Sequence, residues 1–319
     1  MSGPMRSGDR RRLLQRVGFG LALIVLAQAA PAASAPLAPV SWWVWPLALF
    51  GICFLLGIVA VPAGVGGGVL FVPIVGGFFP FHLDFVRGAG LLVAMASALA
   101  AAPDLLRNGL ADLRVALPLM LVASLTSILG ALIGLSLSAS TVNIALGLVV
   151  LGIVVLIARA KRADHVDPRP DRIATRLGLQ GSYFDLAVGK EQHWAAQRTG
   201  WGLFLFAIIG VIGGMFGVGA GWANVPVLNL VMALPLKVAA GTSGLILTGA
   251  SASATWMYLD SGAVLPIVAV PSAVGMMLGA RLGARLLRVL PAANVRRIVI
   301  ALLAFAGMRT LLKGLGIWM

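Results

Sequence analysis

The sequence predicts an all-α, polytopic transmembrane helical bundle made of two homologous copies of one unit. Three observations predict it. First, the 319 residues are 60% hydrophobic and only 11% charged, with a mean hydropathy of +1.01. Soluble domains carry about 25% charged residues, so this chain lacks the charge to cover a water-facing surface. Second, several apolar runs reach the roughly 20 residues that cross a bilayer, among them Trp42 to Val61, Val115 to Leu135 and Thr141 to Ala158. These runs are apolar on every side, whereas a membrane barrel alternates apolar and polar residues. Third, one fixed offset of 153 residues aligns the two halves of the chain.

Residues 1–40 come first. Arg6, Arg10, Arg11, Arg12 and Arg16 precede an apolar stretch, Val17 to Ala27, and then small residues and prolines up to Pro39. This layout fits a secretory signal and equally an uncleaved first transmembrane helix. Both place residue 40 outside the cytoplasm.

Transmembrane repeat 1 follows over 41–158, with apolar segments near 44–62, 67–80, 84–103, 113–135 and 141–158. A polar segment at 159–198 mixes Lys161, Arg162, Arg169, Arg172, Arg176, Lys190 and Arg198 with Asp164, Asp167, Asp171, Asp185 and Glu191. It reads as a loop or surface helix, and its basic excess makes it a cytoplasmic linker. Transmembrane repeat 2 covers 199–319, with segments near 200–216, 220–234, 238–257, 263–287 and 295–313. The second segment of each copy is short and carries a Val-Pro step, so a half-helix that stops inside the membrane is expected there.

The offset pairs Gly64-Val65-Gly66-Gly67-Gly68 and Val72-Pro73 with Gly217-Val218-Gly219-Ala220-Gly221 and Val225-Pro226. It also pairs Gly57 with Gly210, Gly88 with Gly241, Pro118 with Pro271 and Gly130-Ala131 with Gly283-Ala284. Glycine matches alone arise by chance in a chain with 40 glycines. An ungapped offset that also holds the prolines does not.

Charge then orients the copies. Arg107 and Arg114 flank loop 104–114, whose counterpart at 257–267 has only Asp260. Loop 135–140 has no charge, while its counterpart is flanked by Arg281, Arg285, Arg288, Arg296 and Arg297. Positive loops face the cytoplasm, so equivalent loops lie on opposite sides and the repeats are inverted, with an odd number of crossings each. Arg309 and Lys313 count against this arrangement, because it carries them toward the outer face.

The net charge of +14 sits at the edges of apolar runs, which assigns it to the membrane boundary and excludes nucleic acid as a partner. The single Cys53 lies in an apolar run and forms no intrachain disulfide. His82, His165 and His193 have no metal-ligand spacing. There is no nucleophile–base pair and no phosphate-binding loop of the ATP-driven kind. The expectation is therefore a non-enzyme with no metal and no cofactor.

The Gly clusters are the chemically suggestive feature. Glycine lets backbone turn sharply or approach a ligand closely. If each cluster interrupts a helix, the half-helix that follows aims free N–H groups and its positive dipole end at the break. The candidate substrate-binding residues are thus Gly64, Gly66, Gly67 and Gly68 of the first copy and Gly217, Gly219 and Gly221 of the second. Pro73 and Pro226 are structural candidates. Glycines four apart also let helices pack, and that reading stays open beside the first.

Asn224 adds an amide that its own helix cannot fully satisfy, and Thr242 and Ser243 join it as binding candidates. Thr248, Ser251, Ser253 and Thr255 read as hydroxyls bonded to their own helix. Lys237 and Arg87 are candidates for attracting an anion, with an interface anchor as the competing role.

The two Gly-to-Val-Pro motifs, with Pro235-Leu236-Lys237-Val238-Ala239-Ala240-Gly241-Thr242-Ser243, resemble the sulfite exporter TauE/SafE family of bacterial membrane permeases over about residues 44–315. The chain departs from the family pattern at Ala220 and at Gly88-Ala89-Gly90, which bear on substrate more than on fold. The resemblance implies a multi-pass protein of the bacterial inner membrane. It also implies a secondary transporter, an exporter of a small anion such as sulfite or an organosulfonate. The implied partners are the lipid bilayer and that anion, and a homo-oligomer stays open. The competing functions are a membrane assembly or accessory protein without transport activity, and an anion channel.

Overall fold

The computed structural model describes residues 43–60, 66–107, 110–159, 170–185, 190–219, 221–286 and 292–317. The leader and Gly64 lie outside them. In the first half, α1 (Val44–Ala60), α2 (Gly67–Phe78), α3 (Leu83–Arg107), α4 (Leu113–Ser136) and α5 (Ala139–Arg159) follow one another. The second half has α7 (Thr199–Phe216), α8 (Gly221–Pro226) continued by a π-helical turn (Val227–Val231), α9 (Leu236–Asp260), α10 (Pro266–Leu286) and α11 (Ala292–Gly314). Leu83–Ala100, α4, Ala139–Leu156, α7 and Pro266–Gly283 are long and apolar enough to cross a membrane. α2 has 12 residues, about 18 Å of helix at 1.5 Å per residue, well short of a hydrocarbon core of about 30 Å.

Local chemistry sets several ends. Asp112 caps α4 by accepting from the Val115 N–H at 3.0 Å. Pro226 cannot donate to the carbonyl four residues back, and the helix slips into a π turn directly after it. Asn229 closes the following corner, with Nδ2 on the Leu234 carbonyl at 2.8 Å.

Glycines sit where helices touch, which is how apolar helices approach closely without a hydrophobic driving force. α1 runs parallel to α10, with the carbonyls of Phe50, Phe54 and Ile58 facing Gly275, Gly279 and Gly283. α4 runs parallel to α7, where Gly210 and Gly214 face the carbonyls of Ala123 and Ser127. α3 is antiparallel to α9, because Gly88 near the start of α3 meets Ala263 while Gly241 near the start of α9 meets Leu110. α5 is antiparallel to α11, with Gly147 against Leu311 and Gly314 against Ile144. Some contacts recur at the sequence offset. Gly57 faces Met276 O as Gly210 faces Ala123 O, and Gly283 faces Ile58 O as Gly130 faces Val211 O.

The outward faces are apolar. Leu117, Leu121, Leu125 and Leu129 form a four-residue stripe along α4, all about half exposed or more, as a lipid-facing surface requires.

The central polar segment contains more than a loop or surface helix. It forms α6 (Arg172–Leu177) and an antiparallel hairpin of β1 (Gln180–Asp185) and β2 (Lys190–Ala195). Tyr183 and Trp194 turn inward and share a core with Phe206, Leu228 and Met232. Asp171 ties this unit to α7: its Oδ1 accepts from Ala174 N at 2.7 Å and from the Thr199 hydroxyl at 2.9 Å, and its Oδ2 accepts from Thr199 N at 2.7 Å.

Candidate functional site

α7 ends at Phe216 and α8 begins at Gly221. Between them Gly217 and Gly219 both take left-handed backbone angles, φ 68° and 67°, which a side chain would strain. Gly217 also abuts the Arg87 backbone, so it lacks room for a Cβ as well. On the other side, Gly66 precedes α2 in extended conformation, and no side chain caps that helix. The two copies meet here. A Cβ on Gly221 would lie 3.0 Å from Gly66 Cα, and one on Gly68 would lie 2.7 Å from Val218 O. Gly66, Gly67, Gly68, Gly217, Gly219 and Gly221 are thereby gathered around one junction between the halves.

The predicted side chains divide. Asn224 is fully buried; its Nδ2 makes a long 3.4 Å bond to the Ser243 carbonyl, and its Oδ1 has no partner. Thr242 is held elsewhere, since its hydroxyl accepts from Asp112 N at 3.1 Å and so ties α9 to the start of α4. Pro73 lies inside α2 and Pro226 at the end of α8. Lys237 is exposed in the first turn of α9.

Arg87 is 1% exposed, so it is no interface anchor. Its Nη1 donates to Gly134 O at 3.0 Å and Met215 O at 2.9 Å, and its Nη2 pairs with Asp84. Its guanidinium also lies 5.6 Å from the centre of the Tyr258 ring. The Tyr258 hydroxyl donates to Gly214 O at 3.1 Å and Met215 O at 3.2 Å. The last turn of α7 leaves carbonyls without helical partners, and Arg87 and Tyr258 supply them. A cation there also complements the negative end of the helix dipole.

Sequence reasoning missed Trp222 and Ser251. Trp222 directly follows Gly221 and carries an unpartnered Nε1. Ser251 lies opposite Gly219, with an unpartnered hydroxyl. Nothing in the sequence separates Ser251 from Thr248, Ser253 and Thr255; only the direction of the hydroxyl does.

An apolar multi-helix bundle, with short helices meeting at a glycine junction inside it, defines a polytopic membrane protein. The comparisons agree and are more specific. The model of the family described as Sulfite exporter TauE/SafE matches residues 49–310, and the chain belongs to that family. It is 24% identical over 277 residues to Probable membrane transporter protein YunE of Bacillus subtilis (strain 168), covering 83% of this chain and 98% of that protein. No solved structure matches.

Proposed function

We propose that this chain is a secondary transporter that exports a small anion of the sulfite or organosulfonate class across the bacterial inner membrane, with the glycine junction as its substrate site. The observation that carries the reading is the meeting of Gly66 and Gly221, one from each half, inside an apolar bundle. The N-terminus of α2 offers peptide N–H groups and positive dipole there. Asn224 brings an amide with bonding capacity to spare.

Inversion of the two copies belongs to the same proposal. The antiparallel pairing of α3 with α9 and of α5 with α11 supports it, because equivalent helices related by an axis along the membrane normal would run parallel. Rocking of one copy against the other would expose the junction to each side in turn. An inside-negative potential favours anion exit by about 2.3 kcal/mol per charge per 100 mV, so export requires no ATP.

The test is anion efflux from proteoliposomes loaded with sulfite, sulfate, thiosulfate, taurine or chloride. Saturable, selective flux that is lost on Gly219→Ala or Asn224→Ala in folded protein supports the carrier. Flux that never saturates indicates a channel. No flux of any anion from folded protein sinks the transport reading and leaves the assembly-protein alternative.

A further inference from the structure

We infer that Ser251 is a direct ligand of the transported anion, donating its hydroxyl hydrogen to an anion oxygen; this rests on the carrier reading and deepens it. The hydroxyls of α9 set the contrast. Thr248 donates to Gly244 O at 3.0 Å, Ser253 to Gly249 O at 3.1 Å and Thr255 to Ser251 O at 2.7 Å, each four residues back along the same helix. That back-bond is the ordinary fate of a helical hydroxyl in an apolar setting. Ser251, 1% exposed, is buried like Thr255 and more deeply than Thr248 and Ser253, yet its Oγ makes no hydrogen bond.

The hydroxyl lines a crevice bordered by Leu91, Ser127, Gly213 and Gly219. The crevice leaves no volume for a water molecule, so water does not satisfy Ser251 in this state. Ser127, the other hydroxyl of the crevice, is engaged with Ser124 O at 2.8 Å and Ala250 O at 2.9 Å. The donor left for a ligand is therefore Ser251. Gly219 borders Ser251 directly: a Cβ there would lie 3.6 Å from Ser251 Oγ and only 2.8 Å from Leu247 Cδ1.

A buried, unpartnered hydroxyl costs folding free energy unless something binds it. A compact oxyanion suits it, because a hydrogen bond from a neutral donor to a charged oxygen is stronger than one between neutral groups. Ser251 stands where the first half has Ala98 at the repeat offset, so this contact comes from the second half alone.

The test uses the full chain with two readouts: sulfite efflux from proteoliposomes, and the sulfite-dependent rise in melting temperature of detergent-solubilised protein. Ser251→Ala should weaken half-saturation by about tenfold to a hundredfold and abolish most of the sulfite-dependent rise. The melting temperature without sulfite should stay level or increase, because an orphan group has been removed. Ser253→Ala, whose hydroxyl is bonded within its own helix, should leave half-saturation unchanged. A Ser251→Ala protein that keeps wild-type half-saturation overturns the assignment while the carrier reading stands. A drop in its melting temperature without sulfite, with half-saturation unchanged, assigns Ser251 a packing role instead and likewise overturns it. A wild-type protein without flux or thermal response for any anion of the panel removes the carrier reading and this inference together.

Discussion

Removing the exposed half of the Asp84–Arg87 pair should harm the protein more than removing the buried half. Arg87→Met strips two donors from Nη1, but the Met215 carbonyl keeps the Tyr258 hydroxyl at 3.2 Å. One carbonyl, that of Gly134, is left bare, which costs about 1–3 kcal/mol for a buried acceptor. Asp84 is 30% exposed and can be solvated, so losing its partner adds at most about 1 kcal/mol. Loss of the guanidinium also ends its own desolvation penalty. The net expectation is about 2 kcal/mol.

Asp84→Ala leaves a guanidinium that is 1% exposed without its counter-charge, and breaking a buried pair in that way costs about 3–5 kcal/mol. The double variant should fall close to Arg87→Met alone, because Asp84 matters chiefly through Arg87. The assay is the unfolding midpoint of the three variants in mild detergent, read as a double-mutant cycle. An Asp84→Ala protein less damaged than Arg87→Met, or no coupling between the two, would refute this reasoning.

Three further outcomes follow from the geometry. Asp171→Ala removes the cap of α6 and both bonds to Thr199; a loss of about 1–2 kcal/mol at that cap should appear as faster limited proteolysis within 160–198, with the bundle intact. Lys313→Met removes the Nζ bond to Gly76 O at 2.9 Å; about 1–2 kcal/mol should be lost, seen as a lower melting temperature in detergent. Gly221→Ala pushes a methyl to 3.0 Å from Gly66 Cα, so the halves must separate locally; anion flux in proteoliposomes should fall at least about tenfold for a misplacement of this order, while the protein still purifies as a folded species.

The helical segments were legible because their signal is composition over long windows, and that signal does not depend on which neighbour each residue meets. α4 runs from Leu113 to Ser136 where the sequence places a segment at 113–135. The stop of α7 was equally legible, since Gly217 and Gly219 take the backbone angles that single out glycine. Side-chain roles were not legible, because they depend on partners distant in sequence. Thr242 is set by Asp112, 130 residues away, and Arg87 by Met215, 128 residues away. The β1–β2 hairpin was hidden for another reason. Its inward residues are few, Tyr183 and Trp194, and Gly181 is covered by the Trp194 ring across the strand pair. No apolar alternation announces strands this short.

Arg309 and Lys313 show how a charge rule and a packing rule compete within one segment. Counted as loop charges, they oppose the inverted arrangement. The structure gives them work at the end of α2. Lys313 donates to the Gly76 carbonyl, and the Arg309 guanidinium sits 3.9 Å from the centre of the Phe78 ring. α2 ends inside an apolar setting, where its last carbonyls need donors and its negative dipole end favours a cation. Positive-inside statistics describe charges that choose a side of the membrane. A cation fixed to a helix terminus by direct bonds is placed by that terminus instead. The proposed inversion then rests on the antiparallel pairing of α5 and α11 and on the loop charges other than these two.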